Sequence, residues 1–207
     1  MEQPARTASY TAGGASFRRG WPLTLAATVA TATLCSFAYT MTGGGLAGWQ
    51  SVVRTSAKTS LLFFLAAFVA SSVRVFWRTP ATAWLLANRR YLGVSFAASH
   101  AIHLVGIVMV ARLSPDFERG LVTLLFGGFG YVLLFAMAAT SFDGAVTWLG
   151  RRRWQLLHKT GIYYLWFIFL ISYLPRAVFE SAWYWPFALA LLAGVALRFA
   201  AYRRQRR

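Results

Sequence analysis

Acidic residues are scarce in this chain: five Asp and Glu stand against 21 Lys and Arg in 207 residues, a formal net charge of +16. Charged residues of both signs make up only 13% of the sequence, whereas 58% is apolar. Soluble domains carry about a quarter charged residues and about half apolar ones, so the composition argues for a membrane protein. A single cysteine, Cys35, excludes a disulfide framework or a cysteine metal site within one chain, and reads as a small buried apolar residue. No stretch is left over for a soluble catalytic domain or for a nucleotide-binding domain with its GxGxxG fingerprint. No Asp or Glu lies deep in any apolar run, which weakens a proton-coupled transporter, because such proteins use buried carboxylates.

Six apolar windows of about bilayer-spanning length fill most of the chain, at roughly 21–42, 57–77, 91–111, 121–141, 157–174 and 184–201. The positive-inside rule then orients them. With a cytoplasmic amino terminus, 16 of the 21 basic residues fall on inner segments, among them Arg74, Arg89, Arg90, Arg151 to Arg153 and the terminal RRQRR. The expected fold is an all-α integral membrane bundle of six transmembrane helices with both termini cytoplasmic. Residues 1–20 read as a polar cytoplasmic tail and 21–207 as one six-helix domain. The charge is distributed as topology demands, so RRQRR reads as an anchor to anionic lipid headgroups and nucleic acid is not an expected partner. Trp21, Trp77 and Trp183 near span ends read as interfacial anchors, and Gly127, Gly128 and Gly130 as contacts for close helix packing.

Intramembrane ionisable residues are functional candidates by default, and three histidines qualify. His100 and His103 lie in the third span within RRYLGVSFAASHAIHL, three residues apart and so on one helix face. His158 begins the fifth span in WQLLHKTGIYYLWFIF. Neutral imidazoles from facing helices can hold a haem within a bundle. They can equally form interhelical hydrogen bonds worth about 1 kcal/mol each. At about 1.5 Å per residue, His103 lies on the order of 20 Å beyond Arg90, and His158 about 8 Å beyond Arg153. His100 is one turn shallower than His103 and closer to level with His158.

The arginine pair followed by leucine-glycine and histidine in RRYLGVSFAASHAIHL resembles the third helix of the ferric reductase-like transmembrane domain family. TSFDGAVTWLGRRRWQLLH continues the likeness with Thr140-Ser141, Leu149-Gly150, Trp154 and Leu157-His158, and the second-span ending ASSVRVFW extends it over roughly residues 50–175. The family includes ferric reductases, NADPH oxidases and the haem-bearing membrane subunit of a bacterial periplasmic methionine sulfoxide reductase system. The resemblance implies a membrane b-type cytochrome of an oxidoreductase system that carries electrons across the bilayer to an outer-side acceptor. It implies haem b held by His158 and His103, with His100 as the alternative ligand. Many members carry a second histidine on the fifth helix, and Ile171 stands there instead. With no appended domain, the donor is expected to be a separate reductase, a reduced flavin or a quinol, so a flavin or quinone is a second candidate cofactor. Arg74, Arg89, Arg90 and Arg151 to Arg153 can pair with haem propionates or another anionic group. The alternatives are a haem-free membrane anchor and a small-molecule transporter.

Overall fold

In the computed structural model, residues 20–114 and 120–207 are described, and every regular element among them is helical. In chain order these are α1 (Trp21–Met41), α2 (Gly45–Phe76), α3 (Pro80–Ala87), α4 (Arg89–Leu113), α5 (Leu121–Ala139), α6 (Ala145–Leu149), α7 (Arg151–Phe179) and α8 (Trp185–Arg206), with a 3₁₀ turn at Ala182–Tyr184 before α8. The six long helices are each long and apolar enough to cross a membrane. Apart from Gly20, the expected tail 1–20 lies outside the described residues.

The second span begins twelve residues before its apolar window. The polar residues SVVRTS, 51–56, lie ahead of that window, yet Ser56 is fully buried, as is Ser60 just inside the window. Their hydroxyls donate to carbonyls of their own helix, Ser56 Oγ to Val52 O at 2.6 Å and Ser60 Oγ to Ala57 O at 3.0 Å, which lets a helix interior tolerate them in apolar surroundings. The α1–α2 reversal uses Gly43, Gly44 and Gly45, all at positive φ (79°, 72° and 57°), where a side chain would be strained. The inner loop RTPATAWLLANRR folds into α3, capped by Thr79, whose side chain accepts from Thr82 N.

The longest helix, α2, packs against α1, α4 and α8, while α7 packs against α5 and α8. Gly106 permits the α2–α4 approach, since a Cβ there would come within 2.9 Å of Val53 Cγ2. Between α2, α4, α5 and α7 the core is largely aromatic, with Phe64, Phe68, Phe96, Phe169 and Tyr173 packed with Leu134, Leu165 and Leu191. The glycines of α5 divide: Gly130 packs on Tyr164, Leu165 and Ile168, whereas a Cβ on Gly127 or Gly128 would meet nothing within 4 Å.

Both chain ends of the bundle come to the side of the α2–α4 connection. Gly20 N donates to the buried Asn88 Oδ1 at 3.1 Å, and the Arg204 guanidinium lies 5.3 Å from the Phe76 ring centre. Arg89, Arg90, Arg151 and Arg203 therefore share one end of the molecule, and α4 and α7 both run away from it.

Candidate functional site

One stripe of α4 organises the site. Arg89, Gly93, Phe96, His100 and His103 follow one another at steps of four and three, so they share a face. Towards the far end of that stripe, the His100 and His103 rings stack with centres 4.9 Å apart. Each is fixed by α2. His103 Nδ1 lies 2.9 Å from Val53 O and 3.2 Å from Ser56 Oγ. A carbonyl only accepts, so Nδ1 carries the proton and Nε2 the lone pair. His100 Nδ1 lies 3.0 Å from Ser60 Oγ. Because that hydroxyl donates to Ala57 O, it accepts from the ring, and His100 is in the same tautomer. Phe96, Tyr131 and Phe169 close around the His100 imidazole at 5.2 to 5.6 Å between ring centres.

Nearer the arginine end, a cavity of about 590 Å³ opens between α2, α4, α5 and α7, within the range of about 300–1,000 Å³ common for cofactor sites. Phe64, Ala67, Gly93, Phe96, Leu134 and Leu165 form its apolar walls. Four cationic side chains, Arg89, Arg90, Lys159 and Arg198, line it too. Arg90 pairs with the exposed Asp143. Arg89 Nε donates to Ala67 O at 3.1 Å and Arg198 to Phe68 O and to the Tyr163 hydroxyl. Neither of these two guanidinium groups forms an ion pair among the described residues. The cavity thus holds more positive charge than its own carboxylate offsets, which suits a ligand bearing carboxylates or phosphates.

His158 lines this cavity. Its Nε2 lies 3.1 Å from Thr140 Oγ1, whose hydrogen goes to Ala136 O at 2.7 Å, so the imidazole donates through Nε2. Trp154 stacks on the ring with centres 4.2 Å apart and anchors through its indole N–H to Thr140 O at 3.0 Å. Either ring nitrogen can supply a lone pair: Nδ1 in this tautomer, Nε2 once the Thr140 bond is exchanged.

The structure brings His100 and His103 together and holds His158 apart. His100 meets Phe169 on α7, eleven residues beyond His158 and about 16 Å along the helix. Two imidazoles on one metal, at bonds of about 2 Å, need to be within a few ångströms of each other. His158 therefore belongs to one level of the bundle and the His100–His103 stack to another, with Phe64, Phe96 and Phe169 packed between. Ile171 is 46% exposed, and its neighbour Phe169 makes the ring contact to His100. Arg198, one of the 16 basic residues counted on inner segments, lines the cavity, and Ser56 and Ser60 prove to be the histidines' partners. Two serines four apart in an apolar helix were the available signal.

Three curated relatives match the chain, each named protein-methionine-sulfoxide reductase heme-binding subunit MsrQ. The chain is 31% identical to that of an Enterobacter species over 170 residues, 74% of this chain and 78% of the relative. It is 34% identical to that of Polaromonas naphthalenivorans over 116 residues, 53% of this chain and 51% of the relative. With that of Azospira oryzae it shares 28% over 126 residues, 54% of this chain and 51% of the relative. The matched segment thus spans about half the length of two of the three. No protein-family model and no solved structure matches the chain.

Proposed function

Because the chain belongs to the family of heme-binding subunits MsrQ, a multi-pass protein of the bacterial inner membrane, we propose that it is a membrane b-type cytochrome of a methionine sulfoxide reductase system. In this reading it carries electrons from the arginine-rich end of the bundle to an acceptor at the other. The observation that carries the proposal is the cavity that joins one imidazole, His158, to four cationic side chains within apolar walls. The donor set fits a haem. The imidazole is a haem-iron ligand type, Arg89 and Arg198 match paired carboxylates, and Gly93 leaves space on the facing wall.

His158 supplies the inner ligand, and Arg89 and Arg198 orient the carboxylates. Phe64, Phe96, Leu134 and Leu165 exclude water. A haem bound there supplies one-electron chemistry, tuned by its ligand and by burial. His103 or His100, each with its lone pair on Nε2, is the ligand candidate for the outer level. The Arg90–Lys159 rim is where a separate reductase, a reduced flavin or a quinol would meet the chain. In this reading both termini are cytoplasmic and the rim faces the cytoplasm, with residues 21–207 acting as one domain anchored to lipid.

Protein purified from cells supplied with haem precursor is expected to show a Soret band, and an α band that sharpens on dithionite reduction. His158→Ala should remove at least half of the haem measured per chain. A colourless wild-type protein would sink the cytochrome reading in favour of a haem-free anchor.

A further inference from the structure

The cavity walls differ in what they can give to a metal. On the α7 side stands His158, and on the facing α2 and α4 side stand Phe64, Ala67, Gly93 and Phe96, with Arg89 and Arg90 at one end. None of the four apolar residues carries a donor atom, and guanidinium groups stay protonated and have no lone pair to offer. The next donor along that face, His100, lies about 6 Å past Phe96. Its ring is closed in by Phe96, Tyr131 and Phe169, and it is not among the residues that line the cavity. On α5, the Met137 thioether is packed into the hollow at Gly161, within 2.6 Å of where a Cβ would be, on the α7 side rather than the facing one. Gly93 adds room: a Cβ there would meet nothing within 4 Å.

We propose that the His158 cavity is a small-ligand site, in which a haem held by His158 keeps one axial position open to a small uncharged ligand such as carbon monoxide. This rests on the haem reading above. Among the described residues the side chains of Phe64, Ala67, Gly93 and Phe96 offer no hydrogen-bond donor, and the cations next to them, Arg89 and Arg90, are engaged by Ala67 O and Asp143, so this stretch of wall favours an apolar diatomic over a polar or charged ligand; distal polarity and hydrogen-bond donors govern such choices.

The test uses the full chain purified with its haem, reduced with dithionite and exposed to carbon monoxide. A Soret shift is expected, saturating at one carbon monoxide per inner haem, and His158→Ala should remove the carbon monoxide-reactive component. Gly93→His, which adds an imidazole to the open wall, should give a low-spin spectrum and weaken carbon monoxide binding at least tenfold. A low-spin wild-type spectrum that carbon monoxide leaves unchanged overturns the open position while leaving the haem reading intact. So does a spectrum that Met137→Leu converts from low to high spin, since Met137 would then be the sixth ligand. Carbon monoxide reactivity that survives His158→Ala, or that Gly93→His leaves unaltered, overturns it too. A colourless protein overturns both this proposal and the reading beneath it.

Discussion

The three imidazoles are held by different logic. His100 and His103 each donate through Nδ1 to α2, whereas His158 donates through Nε2 to the hydroxyl of Thr140. The α2 acceptors set the tautomer, as second partners of metal-binding histidines commonly do. Ser60→Ala tests this. Removing the hydroxyl leaves the buried Nδ1–H of His100 without its acceptor, a loss of about 1–3 kcal/mol in water and about 0.6–2 kcal/mol between membrane helices. Thermal unfolding in detergent should fall accordingly, while haem bound at the His158 level stays constant. Equal loss of haem would mean that the two levels are one site. The three-residue spacing that places His100 and His103 on one face was legible in the sequence. Their partners were not, because hydrogen bonds between helices leave no periodic trace in either helix taken alone. Part of the difference in level was legible, since counts from the two arginine clusters put His103 deeper than His158, but how far α7 slides past α4 leaves no trace in those counts.

Helix number and order were legible because a bilayer requires about 20 apolar residues per span, but helix limits were not. The windows stop where polar residues begin, whereas α2 and α7 run on, α2 through buried serines and α7 from Arg151 to Phe179. This extension has a functional consequence: Val53 and Ser56, the partners of His103, lie in the part of α2 that the apolar window left out. What keeps them in reach is Gly106, one turn beyond His103 on α4, where a Cβ would run into Val53. Gly106→Leu would force Val53 aside and push α4 outward. Overpacking of this kind costs about 1–3 kcal/mol, and the bond from His103 to Val53 O should weaken as the helices part. The expected readout is a lower unfolding temperature together with a changed ¹⁵N resonance for the His103 ring. A drop in stability with an unchanged His103 signal would show that the ring is held without the close helix approach.

The placement of the basic residues, rather than the net charge of +16, bears on how the whole molecule is oriented. Basic residues of α4, α7 and α8 share the end at which the α2–α4 connection meets Gly20 and Arg204, and the cavity reaches Arg90 and Lys159 towards that same end. Orientation and function are therefore one question: if the arginine-rich end is cytoplasmic, the cavity meets a cytoplasmic or membrane donor, and the His100–His103 level lies towards the outer side. The chain offers a clean labelling background, because Cys35 is its sole cysteine and is buried. Arg207→Cys places a thiol at the end of α8, and Thr42→Cys places one in the exposed α1–α2 turn at the other end of the bundle. A membrane-impermeant maleimide should label the Arg207→Cys protein only in inverted vesicles and the Thr42→Cys protein only in right-side-out ones. Positive-inside bias sets orientation through short loops and residues near span ends, where nearly all of these arginines stand, so the expected preference is close to complete. The reverse pattern would turn the cavity outward, and the proposed direction of electron flow would have to be reversed with it.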